Sequence, residues 1–208
     1  MDSENTAIFD SKRTIALKLN TPEGAKTVRV RFPSDDEWTA RQRRRKVIVK
    51  NLGRGMSETS VAGSEEIDAA LIAKIRVEPE APVEIDPFEA TRIIEQLSQA
   101  EVDDVVSADA AFRVSTRVLG GTTTHLLKMP SAKDVIEYRR GFLRSVDLPY
   151  GKQEITVNLA AAGTLYMRLC EATEGYSGPV PIVHQAVAVK AAIDALDIAF
   201  QEDRDANF

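Results

Sequence analysis

Apolar and polar residues alternate in this chain over two stretches about a hundred residues apart. Ile15, Leu17 and Leu19 share one side of an extended segment while Lys18 falls on the other, and Val28, Val30 and Phe32 are interleaved with Arg29 and Arg31. A period of two belongs to a half-buried strand, so these segments predict a hairpin that turns at TPEGAK, where a glycine suits a tight turn. A separation of 97 residues lays Phe32-Pro33-Ser34 on Met129-Pro130-Ser131 and carries Ile15, Leu17, Val28 and Val30 onto Phe112, Val114, His125 and Leu127. The second hairpin turns at a Gly-Gly pair. Downstream the correspondence slips by one, so that Leu52 and Gly55 meet Leu148 and Gly151, and it slips further before ALIAKI meets TLYMRL. Two copies of one unit are expected.

Each hairpin leads into a helix signal. Ser34 with Glu37, and Ser131 with Asp134, have the spacing of a capping box, in which the hydroxyl accepts from a free amide and the acid reaches back. Asp35, Asp36 and Glu37 also suit the positive end of a helix. The glycines at Gly53, Gly55 and Gly151 are read as helix stops. A second helix is predicted over Ser64 to Arg76, with Ile67, Leu71, Ile72 and Ile75 inward, and its counterpart over about Leu159 to Thr173. A third starts at Asp86-Pro87, a capping aspartate before a proline in the first turn, and matches the alanine-rich run Val183 to Phe200. The order strand, strand, helix, helix, helix, stated twice, is α+β. The copies are drawn as residues 1–104 and 105–208, packed as one body; whether their hairpins share one antiparallel sheet stays open. AEVDDVVSADAA between the copies is acidic but too apolar for a flexible linker. RVEPEAPVEIDP and EGYSGPVPIV read as loops, and both ends, EDRDANF included, as solvated tails.

Composition narrows the function classes. The chain has 208 residues, 43% of them hydrophobic and 28% charged, which is ordinary for a globular protein with a real core. No apolar run approaches the roughly 20 residues of a membrane-spanning helix, and the acidic start MDSENTAIFDSKR is unlike a signal peptide, so a cytoplasmic protein is expected. Cys170 is the single cysteine, which excludes an internal disulfide, and it reads as a small buried hydrophobe. His125 and His184 lack any accompanying H-x-x-x-H, C-x-x-C or carboxylate cluster of metal-ligand spacing. GRG and GG lack the lysine and the strand-loop-helix setting of a phosphate loop. No catalytic residue, metal ligand or cofactor is therefore assigned, and an enzyme is not expected.

One segment stands apart electrostatically. Trp38 to Ser57 holds seven Lys or Arg and no acid, within a chain of net charge −5. Read as one helix, the segment has no clean apolar face, so arginine stems would lie over apolar surface with their heads in water. Residues 64–104 hold twelve Asp or Glu against three Lys or Arg, so the basic charges have acids to meet within the chain or on another subunit. Nucleic acid is the competing ligand; the acidic total, the scarcity of interleaved aromatics and the lack of a zinc or helix-turn-helix signature weigh against it. Arg44, Arg45 and Lys46 correspond to Gly141, Phe142 and Leu143, so the unit itself does not require the charge. The candidate partner-binding residues are Trp38, Arg41, Arg43, Arg44, Arg45, Lys46, Lys50 and Arg54. Arg43 to Lys46 would carry the attraction, with Trp38 either an aromatic anchor or part of the core.

VRVRFPSDDEWTARQRRRKVIVKNLGRG, followed by EEIDAALIAKIR, resembles tail assembly chaperones and related tail or connector components of tailed bacteriophages and prophages, over about residues 28–76. The resemblance implies a non-enzymatic protein, cytoplasmic or incorporated in a virion, that works by contacting other tail proteins; a homo-oligomer is open beside it. The internal duplication is a departure from that family.

Overall fold

The computed structural model describes residues 9–10, 12–21, 24–53, 56–77, 85–108 and 110–205. In chain order come strands β1 (Phe9–Asp10), β2 (Thr14–Thr21) and β3 (Gly24–Arg31), helix α1 (Asp35–Arg44), strands β4 (Lys46–Gly53) and β5 (Met56–Ala62), then helices α2 (Ser64–Ile75) and α3 (Pro87–Ser98). Strands β6 (Glu101–Ala108), β7 (Ala111–Val118) and β8 (Gly121–Lys128) follow, then α4 (Ala132–Phe142), β9 (Leu143–Leu148) and β10 (Lys152–Val157). The chain closes with α5 (Leu159–Leu169), β11 (Cys170–Glu174), β12 (Tyr176–Ser177) and α6 (Ile182–Asp205). The architecture is α+β.

Both expected hairpins form, and in the same register. Ile15 sits opposite Val30 and Leu17 opposite Val28, while Phe112 sits opposite Leu127 and Val114 opposite His125. The alternation places Leu17, Val28 and Val30 inside and leaves Lys18 and Arg29 in water. The hairpins do not share a sheet, however. β2 and β3 form a two-stranded sheet, whereas β7 and β8 are the middle of the order β11-β8-β7-β6. The preceding strand β6 takes one of its edges and β11, which comes after α4, β9, β10 and α5, takes the other, which leaves no edge there for the first.

The helix starts follow their side chains. Ser34 Oγ accepts from the Glu37 amide at 3.3 Å, and Glu37 Oε2 accepts from the Ser34 amide at 2.9 Å. Arg31 grips the same carboxylate with both terminal nitrogens, at 2.8 and 2.7 Å. That grip, with the Ser34 bonds in support, holds the Glu37 carboxyl well below its ordinary value, at about 2. Asp86 and Glu89 exchange the same pair of bonds at α3, and Ser131 and Asp134 at α4. Ser34→Ala is expected to cost about 1 kcal/mol in urea denaturation, the ordinary worth of an N-cap; no loss would mean that Arg31 alone organises this helix start.

The single basic helix is not observed. α1 ends at Arg44, Arg45 turns extended at φ −72° and ψ 126°, and the chain enters the hairpin β4–β5. Val47-Ile48-Val49 is the reason, since three consecutive β-branched side chains pack on a pleated surface better than in a helix. The second half does the same: α4 gives way to β9 and β10 around a turn at Pro149–Gly151, where Tyr150 (φ 65°) and Gly151 (φ 68°) are left-handed. Gly151 therefore turns a hairpin and stops no helix. The helix expected to Thr173 ends at Leu169 and continues as β11, and the acidic segment between the two expected copies is β6. Gly55, Arg54, residues 1–8, residues 78–84 and residues 206–208 lie outside the described residues.

The chain divides into two compact units that do not follow the halves 1–104 and 105–208. The amino-half unit is Lys12–Ser98 with Arg140–Leu159, and the carboxy-half unit is Gln99–Arg139 with Met1–Ser11 and Ala160–Phe208. In the amino-half unit Leu17, Val28, Val30, Phe32 and Trp38 are buried together with Ile67, Leu71, Ile72 and Ile75 of α2 and Ile93, Ile94 and Leu97 of α3, and α2 packs on β3, α1 and α3. In the carboxy-half unit Phe112, Val114 and Leu127 of the hairpin, Leu165 of α5 and Val189 and Ile193 of α6 are buried, and α6 packs on β6 and β7. Each segment lent to the other unit is paired there: Phe9 and Asp10 run parallel to Tyr176 and Ser177, and β10 lies antiparallel to β4.

Candidate interaction surface

One hairpin from each half of the chain builds a four-stranded sheet in the amino-half unit, in the order β5-β4-β10-β9. Among the described residues none of its side chains is buried. The register sets Ile155 beside Val47, and Val47 beside Val61. The opposite face carries Lys46, Lys50, Arg144 and Lys152 against Glu58 and Glu154, with Ile48 and Val146 between them. Lys46 and Glu154 are 3.8 Å apart, a pair open enough to water to contribute little. Leu52, Met56, Leu143 and Val146 are each at least half exposed. This is a sheet with charge on one face and apolar residues on both, touched by α1 along β10, and with no buried side chain among the described residues.

The residues singled out in the basic segment take different places. Trp38 is 1% exposed, with its ring centroid 5.8 Å from that of Phe32, and belongs to the core. Arg41 is buried too: its Nε donates to Asp68 Oδ1 at 2.5 Å and its Nη2 to Oδ2 at 3.0 Å, while its guanidinium lies 5.8 Å from the Trp38 ring centroid. Arg45 is half-buried, and burial first, then the neighbouring Arg41, push its pKa down. Arg43, Arg44, Lys46 and Lys50 are exposed. The surface that can meet a partner is thus the outer side of α1 and the face of β4. The Arg41–Asp68 fork was invisible to the sequence reading, since 27 residues separate its members.

Both histidines are interior and belong to the carboxy-half unit. His125 on β8 hydrogen-bonds Tyr166 through Nδ1 at 2.9 Å and Thr116 through Nε2 at 3.2 Å, and Thr116 meets Thr123 at 2.6 Å. His184 Nδ1 bonds the Tyr176 hydroxyl at 2.6 Å. Burial pushes the His125 pKa down to about 4, and raises those of Tyr166 and Tyr176. His125, Tyr166 and Tyr176 are therefore neutral at pH 7, and the buried polar groups satisfy one another inside the fold. Cys170 is half-buried at the start of β11, where its thiol donates to the Ala172 carbonyl at 3.6 Å. An apolar groove of about 580 Å³ between α6 and the β6–β7 pair is lined by Val105, Phe112, Met129 and Ala191, and its charged members Lys190 and Asp194 are bonded to each other. Among the described residues no cluster of His, Cys, Asp or Glu is placed to hold a metal ion, and no helix is long and apolar enough to cross a membrane. No protein family, curated protein or solved structure matches the chain.

Proposed function

We propose that this chain is an assembly protein built from two copies of a hairpin-and-helix unit, and that it acts by binding protein surfaces without doing chemistry on them. The sheet β5-β4-β10-β9, with no buried side chain among its described residues, carries this reading. Four strands without a buried side chain among the described residues leave Leu52, Met56, Leu143 and Val146 at least half exposed for a partner to cover, and soluble monomers rarely leave a large apolar surface open. Its basic face, with Arg43 and Arg44 of α1, suits an acidic protein surface, and a second copy of this net-acidic chain supplies one. The duplication is supported by cross-strand pairs that recur 97 residues apart and by the order hairpin, helix, hairpin, helix, helix, into which the second half inserts β11 and β12 before its last helix. Residues 28–76 resemble tail components of tailed phages, which places the proposal among tail or virion assembly components.

The test is mass by light scattering on a sizing column, at low and high salt, with absorbance recorded at 260 and 280 nm. At low salt the wild type should exceed its 22.8 kDa monomer mass. Replacing Arg43, Arg44, Lys46 and Lys50 by glutamine should weaken association about tenfold or more, with unfolding free energy changed by no more than about 0.5 kcal/mol. A monomer under all conditions, or an unchanged assembly in the variant, would overturn the reading. Absorbance at 260 nm that high salt removes would replace it with nucleic-acid binding.

A further inference from the structure

The second hairpin is covered on both edges, by β6 along β7 and by β11 along β8. The first is covered on one. Arg76 bridges Val30, and the Val77 amide donates to the Arg29 carbonyl at 2.9 Å. That is the position β11 holds in the other unit, where Cys170 sits opposite Leu127, the residue 97 beyond Val30. Among the described residues no strand pairs with the outer edge of β2. The residues that the same separation sets against Val106 and Ser107 of β6 are Phe9 and Asp10, and these pair instead with β12 in the carboxy-half unit.

We propose that the open edge of β2 is a docking site for an extended, acidic segment of a partner protein, which adds there as a third strand in the place β6 takes in the other unit. A two-stranded hairpin is marginal by itself, and an edge strand offers a ladder of backbone groups to an incoming chain. Charge identifies the occupant. β2 and β3 carry Lys18, Lys26, Arg29 and Arg31 and no acid, whereas β6 carries Glu101, Asp103 and Asp104 and no base. On the covered edge those acids meet Arg117 of β7, Asp103 at 2.7 Å and Glu101 at 3.7 Å. Lys18 is exposed on the open strand, where it attracts an acidic segment and repels a second β2. The inference rests on the proposed correspondence of the two units and not on the basic sheet face.

The backbone dictates the substitution that tests it. The Arg29 carbonyl points away from β2, towards Val77, so Arg29 and Ala16 are a pair that exchanges no hydrogen bonds within the hairpin. The Ala16 amide therefore faces the open edge, where proline removes a docking donor and no hairpin bond. A fluorescein-labelled peptide of sequence EVDDVVSA, that of β6, is titrated with the full chain at low salt and its anisotropy read. Saturable binding is expected, weakened about tenfold by Ala16→Pro through lost strand pairing and also weakened by Lys18→Glu. The Arg43, Arg44, Lys46, Lys50 variant should bind as the wild type does, which separates failure here from failure of the sheet-face reading. Circular dichroism confirms that each variant is folded, and Lys18→Glu carries the test should Ala16→Pro unfold. The proposal is overturned by absence of binding, by binding indifferent to both substitutions, as strand exchange with β6 would give, or by self-association that Ala16→Pro abolishes without peptide binding.

Discussion

Asp68→Ala is expected to destabilise the amino-half unit by about 3–5 kcal/mol, the usual cost of breaking a buried ion pair from one side. Asp68 is 0% exposed and Arg41 7%, and the carboxylate takes two guanidinium bonds. Without it the Arg41 charge stays in the interior beside Trp38 and half-buried Arg45 with both of its carboxylate bonds lost. The pair as a whole is a different matter, because desolvating both ions offsets much of their attraction. Replacing both at once, Arg41→Met with Asp68→Leu, should therefore recover most of the loss. Urea denaturation followed by tryptophan fluorescence measures this directly, since Trp38 is the single tryptophan and touches the site. A loss under about 1 kcal/mol for Asp68→Ala would show that the fork is not the buried anchor described.

Acidification should weaken the carboxy-half unit well before ordinary carboxylates titrate. His125 is fully buried, with a folded pKa of about 4 against 6.5 when exposed. Between those values the unfolded chain binds a proton that the folded chain refuses. The stability from keeping this imidazole neutral is thus complete above pH 6.5 and lost as pH falls towards 4, about 3 kcal/mol over the window. Near-UV circular dichroism of the tyrosines around His125 should show the denaturation midpoint falling with pH through this range, and His125→Gln should flatten the slope between pH 6.5 and 5. Glu37 acts in the other unit and lower down: its carboxyl, held to about 2 by Arg31, contributes stability above pH 4.5 that is lost towards pH 2. Trp38 fluorescence should report that later loss. If both signals moved together from pH 6.5, buried His125 would not be the cause.

Local rules made part of this molecule legible. The period of two in Ile15, Leu17, Val28 and Val30 and the serine-to-acid spacing at Ser34 and Ser131 depend on neighbours a few residues away, so they survive reading without coordinates. The basic run misled because charge drew attention from shape. Val47-Ile48-Val49 before an Asn-Leu-Gly stretch is a strand-and-turn signal, and the five arginines and lysines from Arg41 to Lys46 masked the change of period. The apolar spacing of EVDDVV was enough to argue against a linker, yet its pairing with β7 depended on which edge was vacant. The division of the basic cluster between interior and surface was beyond reach for the same reason. Arg41 and Arg43 look alike in sequence, and only the distant Asp68 decides that one is buried while the other faces water.

The loan of β9 and β10 to the amino-half unit has a consequence in time. The unit's main run ends at Ser98, but its last segment reaches Leu159. A ribosome adding about 5–20 residues per second needs about 3–12 s to traverse that interval. Throughout it β4 has β5 on one side and a vacant ladder on the other, next to a nascent carboxy-half unit with strands of its own to place. The speed of translation through residues 98–159 therefore governs how long that vacancy persists, and with it the chance that the wrong strand fills it.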